Sequence, residues 1–141
     1  MRYIVFLALL ISGDIFSQDL TGTWKVISYE DEIAYFNKVT NFISYKDSTR
    51  KNKADSFRAM SEKLIFPIIY KFDNKNHFTL NHPIIGEIKG RYNIDESNKK
   101  IVFTDSDDKV DENSYYFNNE ILFIEMSMEV GFIKIGLKKI N

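Results

Sequence analysis

The sequence predicts an all-β protein: an eight-stranded, up-and-down antiparallel barrel with a helical insert between its first and second strands. Three observations lead there. After Gly22, apolar and polar residues alternate with period two through most of the chain. Clusters rich in Asp, Asn and Gly separate those runs at hairpin spacing. The one long interruption, Asp31 to Lys63, carries helical spacing in its second half. Eight short strands without long crossovers fit a closed barrel, and a seven- or eight-stranded sandwich is the alternative.

The elements follow in chain order. Met1 to Ser17 has a basic Arg2, an apolar run from Tyr3 to Ile11 and a return to polarity at Ser12-Gly13-Asp14. That is the pattern of a secretory signal peptide. The run is too short for a membrane span, which needs about 20 apolar residues. Residues 18–141 are then the mature domain, secreted or periplasmic, with no integral membrane anchor. Trp24, Val26 and Ser28 open the first strand, and the parity of that strand puts Ser28 and Glu30 on its inward face. Asp31 to Ser44 is ambiguous. A helix is expected near 47–63, capped by Asp47 or Ser48, with Ala54, Phe57, Met60 and Leu64 as its apolar stripe. Lys51–Asp55 and Arg58–Glu62 are opposite charges at i,i+4.

The remaining strands are more regular. Phe66, Ile68, Tyr70 and Phe72 share a face, as do Phe78 and Leu80. Ile88, Gly90, Tyr92 and Ile94 alternate with Glu87, Lys89, Arg91 and Asn93, one dry face against one wet one. Lys100 to Thr104, the run headed by Tyr115 and Phe117, the Leu122–Met128 run and the Ile133–Leu137 run complete the count. Asp73 to Asn76, Asp95 to Asn98, Asn118-Asn119 and Glu129 to Gly131 supply turns.

Composition narrows the function. A chain of 141 residues is one domain in size. Lys plus Arg number 19 against 20 Asp plus Glu, so the basic excess of a nucleic-acid-binding protein is missing. There is no cysteine, hence no disulfide, no thiolate metal ligand, no cysteine nucleophile and no lipid-anchored N-terminal Cys. No nucleophile elbow, phosphate-binding loop or zinc-protease spacing occurs. The acidic run Asp105 to Glu112 lacks the Gly and Glu that a calcium loop needs and reads as a solvated hairpin loop. His77 and His82 flank one strand and read as turn contacts, so no metal and no cofactor are expected.

The first mature strand begins Leu20-Thr21-Gly22-Thr23-Trp24-Lys25. A Gly-x-Trp at the start of the first strand of a secreted barrel resembles the lipocalin signature, within the wider calycin group. The runs Tyr70 to Asp73, His77 to Leu80, Gly90 to Ile94 and Gly136 to Ile140 are similar to those of small bacterial lipocalin-like domains. The resemblance implies a barrel whose Gly22 and Trp24 shape the closed end. It also implies a last-strand cation over the indole, here Lys139, or its neighbour Lys138 if the strand register shifts by one, in a position where the family usually has Arg.

Function is read from the inward set. Ser28, Phe57, Met60, Phe66, Ile68, Tyr70 and Phe72 are candidates to line a ligand cavity, together with Phe78, Tyr92, Phe117, Ile124 and Met126. An eight-stranded barrel either holds one small ligand or fills with its own side chains. The expected activity is non-catalytic binding of a small hydrophobic or amphipathic molecule, fatty-acid or isoprenoid-like. The alternative is a filled barrel of the cell envelope that docks a protein through exposed aromatics such as Tyr29 and Phe123.

Overall fold

Ten strands and one α-helix follow one another in the computed structural model, which describes residues 19–141. The predicted signal segment lies outside the described residues. The strands are β1 (Gly22–Glu30), β2 (Ala34–Asn37), β3 (Phe42–Tyr45), β4 (Ile69–Phe72), β5 (His77–His82), β6 (Gly86–Asp95), β7 (Lys100–Asp105), β8 (Val110–Asn118), β9 (Ile121–Ser127) and β10 (Phe132–Lys139). A 3₁₀ turn at Ser48–Arg50 leads into α1 (Lys51–Leu64).

Eight of the strands close an all-antiparallel barrel. The ladder runs from β10 back through β4 to β1, and β1 pairs with β10 to close the ring. The insert between β1 and β4 holds more than a helix. Its ambiguous half forms the hairpin β2–β3, so α1 follows the third strand of the chain while still lying between the first two strands of the barrel. One edge of β1 is divided: Gly22 to Lys25 pair with β4, and Ser28 to Glu30 pair with β2.

Turn chemistry repeats around the ring. Asp73 Oδ1 accepts the amides of Lys75 and His77. Asp105 Oδ1 accepts those of Asp107 and Lys109, and Asp95 Oδ1 that of Asn98. Each Asp opens a hairpin by substituting its carboxylate for a backbone acceptor. His82 Nδ1 does the same for the amides of Ile84 and Ile85. Between β8 and β9 the positive-φ residues are Asn119 (49°) and Glu120 (67°), one residue beyond the expected Asn pair.

The core lies inside the ring. Val26, Ile101, Leu122 and Leu137 are fully buried. Aromatic side chains interlock on the β4–β7 wall: Phe78 meets Phe103 edge-on at 4.9 Å, and Phe72 meets Tyr92 edge-on at 5.0 Å. Edge-to-face pairs of this kind add about 0.5–1.5 kcal/mol each beyond area burial.

One irregularity reverses the expected parity of β1. Val26 pairs with Leu137 and Ser28 with Gly136, leaving Ile27 as an extra residue. Beyond this bulge Tyr29 points inward and is buried, while Ser28 and Glu30 turn to the outer face. Ser28 Oγ sits where a side chain at Gly136 would go, beside Phe123. Glu30 pairs with Lys46 at 2.7 Å and Lys134 at 3.1 Å. Ser28 therefore leaves the cavity set, and Tyr29 is not an exposed docking aromatic. Phe123 stays half-buried, stacked on Tyr116 at 4.8 Å.

The helix also departs from its expected stripe. Ala54 and Ser61 are buried and Phe57 half-buried, whereas Met60 is 44% exposed. Positions i, i+3 and i+7 track one face, and i+6 lies about 120° away from i. Phe57 packs on Tyr29, with ring centroids 4.8 Å apart and the planes tilted by 34°. Asp47 caps the 3₁₀ turn through the Thr49 amide, and Lys51 pairs with Asp55 at 2.7 Å. Glu62 pairs with Lys38 of the β2–β3 loop rather than with Arg58, which ties the hairpin to the helix.

Candidate functional site: the barrel cavity

The two ends of the barrel differ. At one end the start of β1 and the end of β10 come together. Trp24 is 3% exposed, and its Nε1 donates to the Leu20 carbonyl at 2.7 Å. Trp24 pairs with Lys139 across the β1–β10 ladder, and the Lys139 Nζ lies 5.9 Å from the indole centroid. Gly22, at φ +133°, permits that approach: a Cβ there would stand 2.5 Å from Lys139 Cε and 2.5 Å from the Asn141 carbonyl oxygen. Phe117 packs against Trp24 from the ring interior, 6.3 Å between centroids. A cleft of about 450 Å³ lies beside this end, lined by Trp24, Phe117, Lys138 and Lys139.

The opposite end carries the β5–β6, β7–β8 and β9–β10 turns. A cavity of about 300 Å³ opens there, between the walls made by β4 to β9. Tyr70, Phe78, Ile124 and Met126 of the predicted set line it. So do Leu80, Ile88, Phe103 and Val110. Its polar lining is Asp105, Lys109, Asp111 and Asn113.

The other predicted residues fall elsewhere. Phe66, Ile68, Phe72 and Tyr92 are buried in the core cluster, and Phe117 is packed at its margin. Phe57 and Met60 line a separate groove of about 270 Å³ with Ile33, Lys53 and Ala54. No residue of α1 lines the open-end cavity.

Sequence reasoning missed the polar lining. The loop Asp105 to Glu112 was read as solvated as a whole. Its alternation continues into β8, however, and places Asp111 and Asn113 on the same face as Tyr115 and Phe117. Asn113 is only 3% exposed, and its Nδ2 donates to Asp111 Oδ2 at 3.1 Å. An Asn two residues before an inward Tyr was the available signal.

Electrostatics sharpen the picture. Burial, reinforced by the nearby Asp111 charge, pushes the Tyr70 phenol above its ordinary range, so it stays a neutral hydroxyl. On the outer face, burial opposes ionisation of Glu30, but hydrogen bonds from Lys46 and Lys134 outweigh it and hold the carboxyl below its ordinary value. Among the described residues no group of three or more His, Cys, Asp or Glu is placed to hold a metal. No described helix is long and apolar enough to cross a membrane.

No protein-family model matches the sequence, and no curated protein matches it. A crystal structure of a DUF4847 family protein from Bacteroides vulgatus is similar in fold. It superposes with a TM-score of 0.50 at 13% identity, over 86% of this chain and 95% of that one. The likeness supports the barrel fold and, at that identity, the fold alone.

Proposed function

We propose that this barrel is a lipocalin-like binding protein that holds one small, mainly apolar molecule without transforming it. The observation that carries the reading is the cavity of about 300 Å³ at the end opposite Trp24. It has apolar walls and a few convergent polar groups, the usual make-up of a small-molecule site. Its volume is at the lower end of the about 300–1,000 Å³ typical of such sites, so the cargo is compact or enters by one apolar segment. Each CH₂ buried there contributes about 0.8 kcal/mol. The signal-peptide pattern of the first 17 residues supports action outside the cytoplasm, in the periplasm or beyond the cell.

A second reading has its own observation. Ile84, Ile85, Val110 and Val130, 67–85% exposed, sit on the turns of the open end, an apolar rim suited to docking a protein. Native mass spectrometry of the protein purified from its own host, without delipidation, separates the two. A discrete adduct lost on denaturation is the expected result. A bare mass, together with no saturable uptake of an apolar fluorescent probe, rejects the binding reading in favour of the docking module.

A further inference from the structure

Resting on the binding reading above, we propose that the cavity selects amphiphiles whose head group is a protonated amine over those ending in a carboxylate, with the head held between the Tyr70 hydroxyl and the Asp111 carboxylate. Two independent observations meet here.

The first is an unpaired hydroxyl. Tyr70 is 8% exposed and lines the cavity, yet among the described residues its Oη has no hydrogen-bond partner. Among the described residues, no side-chain nitrogen or oxygen that is fully sealed from solvent lacks a partner. The Tyr70 oxygen is therefore open to the cavity, where a ligand group can reach it. In that position the hydroxyl is free to donate to, or accept from, a polar ligand atom.

The second is the sign of the surrounding charge. Asp105 and Asp111 outnumber Lys109 on the lining. Asp107, Asp108 and Glu112 belong to the same loop and strand start and add to the negative potential at the opening. Asn113 spends its Nδ2 on Asp111, which leaves its Oδ1 without a partner among the described residues. Tyr70 Oη, Asp111 and Asn113 Oδ1 thus present acceptors. An ammonium carries three donors and no acceptor, and matches that set. A carboxylate brings only acceptors; Tyr70 and Lys109 offer it donors, but it meets the two like charges of Asp105 and Asp111. The basic residues of α1, Lys51, Lys53, Arg58 and Lys63, do not line the cavity and offer nothing to an acidic head there.

The test is isothermal titration of the purified protein at pH 7 and low salt with octylamine, octanol and octanoate, whose heads are an ammonium, a hydroxyl and a carboxylate. Octylamine is expected to bind about three- to fivefold more tightly than octanol, the strength of a half-exposed ion pair. Octanoate, whose tail is one CH₂ shorter, is expected to bind more weakly than octanol by more than the about fourfold that the missing CH₂ explains. Asp111→Asn, at an exposed rim position, should level the amine with the alcohol. Tyr70→Phe should weaken both. Octanoate binding as tightly as the amine, or an amine preference that survives Asp111→Asn, overturns the head-group assignment while leaving a binding barrel. Absence of saturable binding by all three rejects the binding reading itself, and this proposal with it.

Discussion

Replacing Trp24 by Phe tests how the closed end is held. The substitution keeps an aromatic ring but removes three things. It strands the Leu20 carbonyl, now 2.7 Å from the indole N–H in a buried position, at a cost of about 1–3 kcal/mol. It weakens the Lys139 contact, which at 5.9 Å sits near the outer limit of a cation–π interaction and contributes about 0.5 kcal/mol. It also empties the volume of the missing ring atoms, about 1 kcal/mol. The expected total is about 3 kcal/mol, or a fall in Tm of roughly 10–15 °C for a domain of this size. Trp24 is the only tryptophan, so unfolding is followed by far-ultraviolet circular dichroism in urea rather than by fluorescence. Lys139→Met retains the aliphatic stem. Combined with the Trp24 change in a double-mutant cycle, it should show coupling of about 0.5 kcal/mol. A loss below about 1 kcal/mol for Trp24→Phe would show that the Leu20 carbonyl and the indole are not paired as the geometry indicates.

Further outcomes follow from single contacts. Glu30 has a folded pKa below its ordinary value of 4.5, so its contribution is present above that pH and is lost as pH falls through the folded value. Glu30→Gln should therefore flatten the decline of stability below about pH 4.5, and an unchanged acid limb in urea titrations would count against the Lys46–Glu30–Lys134 network. Phe57→Ala removes the ring packed against Tyr29 and should expose the amides of Ala54 to Leu64 to faster hydrogen exchange, with the barrel strands unaffected. Glu120 stands at φ +67° in an exposed turn, and Glu120→Gly, giving an Asn-Gly pair, should raise stability by up to about 1 kcal/mol in thermal melts. A lowered Tm there would mean that the Glu120 side chain is engaged in its own right.

Much of this fold was legible in the chain because a closed antiparallel barrel writes its pattern locally. Ile88 to Ile94 alternate so cleanly that one face could only be dry, and the Asp and Asn residues of the turns act on amides two to four positions away. What stayed hidden depends on partners distant in sequence. The bulge at Ile27 exists because β1 must match β10 on one edge while passing from β4 to β2 on the other. Nothing within Trp24 to Glu30 signals that change of parity, and it moved Ser28 outward and Tyr29 inward. The β2–β3 hairpin was obscured by its short, four-residue strands, although Asn41 at φ +54° marks its turn.

The cavity was half legible for a related reason. Tyr70, Phe78, Ile124 and Met126 stood out as apolar inward positions. Phe66, Phe72 and Tyr92 looked the same in sequence but are consumed by packing, since periodicity assigns a face and not a depth along the barrel axis. The polar lining escaped because Asp111 and Asn113 sit at the junction of an acidic loop and a strand, where charge and alternation give opposite readings. In the helix, Met60 entered the apolar stripe through its hydrophobicity, and helical geometry placed it at the surface.

The most direct test of the account is amide chemical-shift mapping of the labelled protein during titration with octanol. A ligand held in the cavity predicts saturable shifts concentrated at Leu80, Ile88, Asn113 and Met126, with Lys138 and Lys139 at the far end unmoved. Shifts confined to the turn tips Ile84, Ile85 and Val130, or no saturable shifts at all, would contradict a binding barrel and leave the open rim as a docking surface.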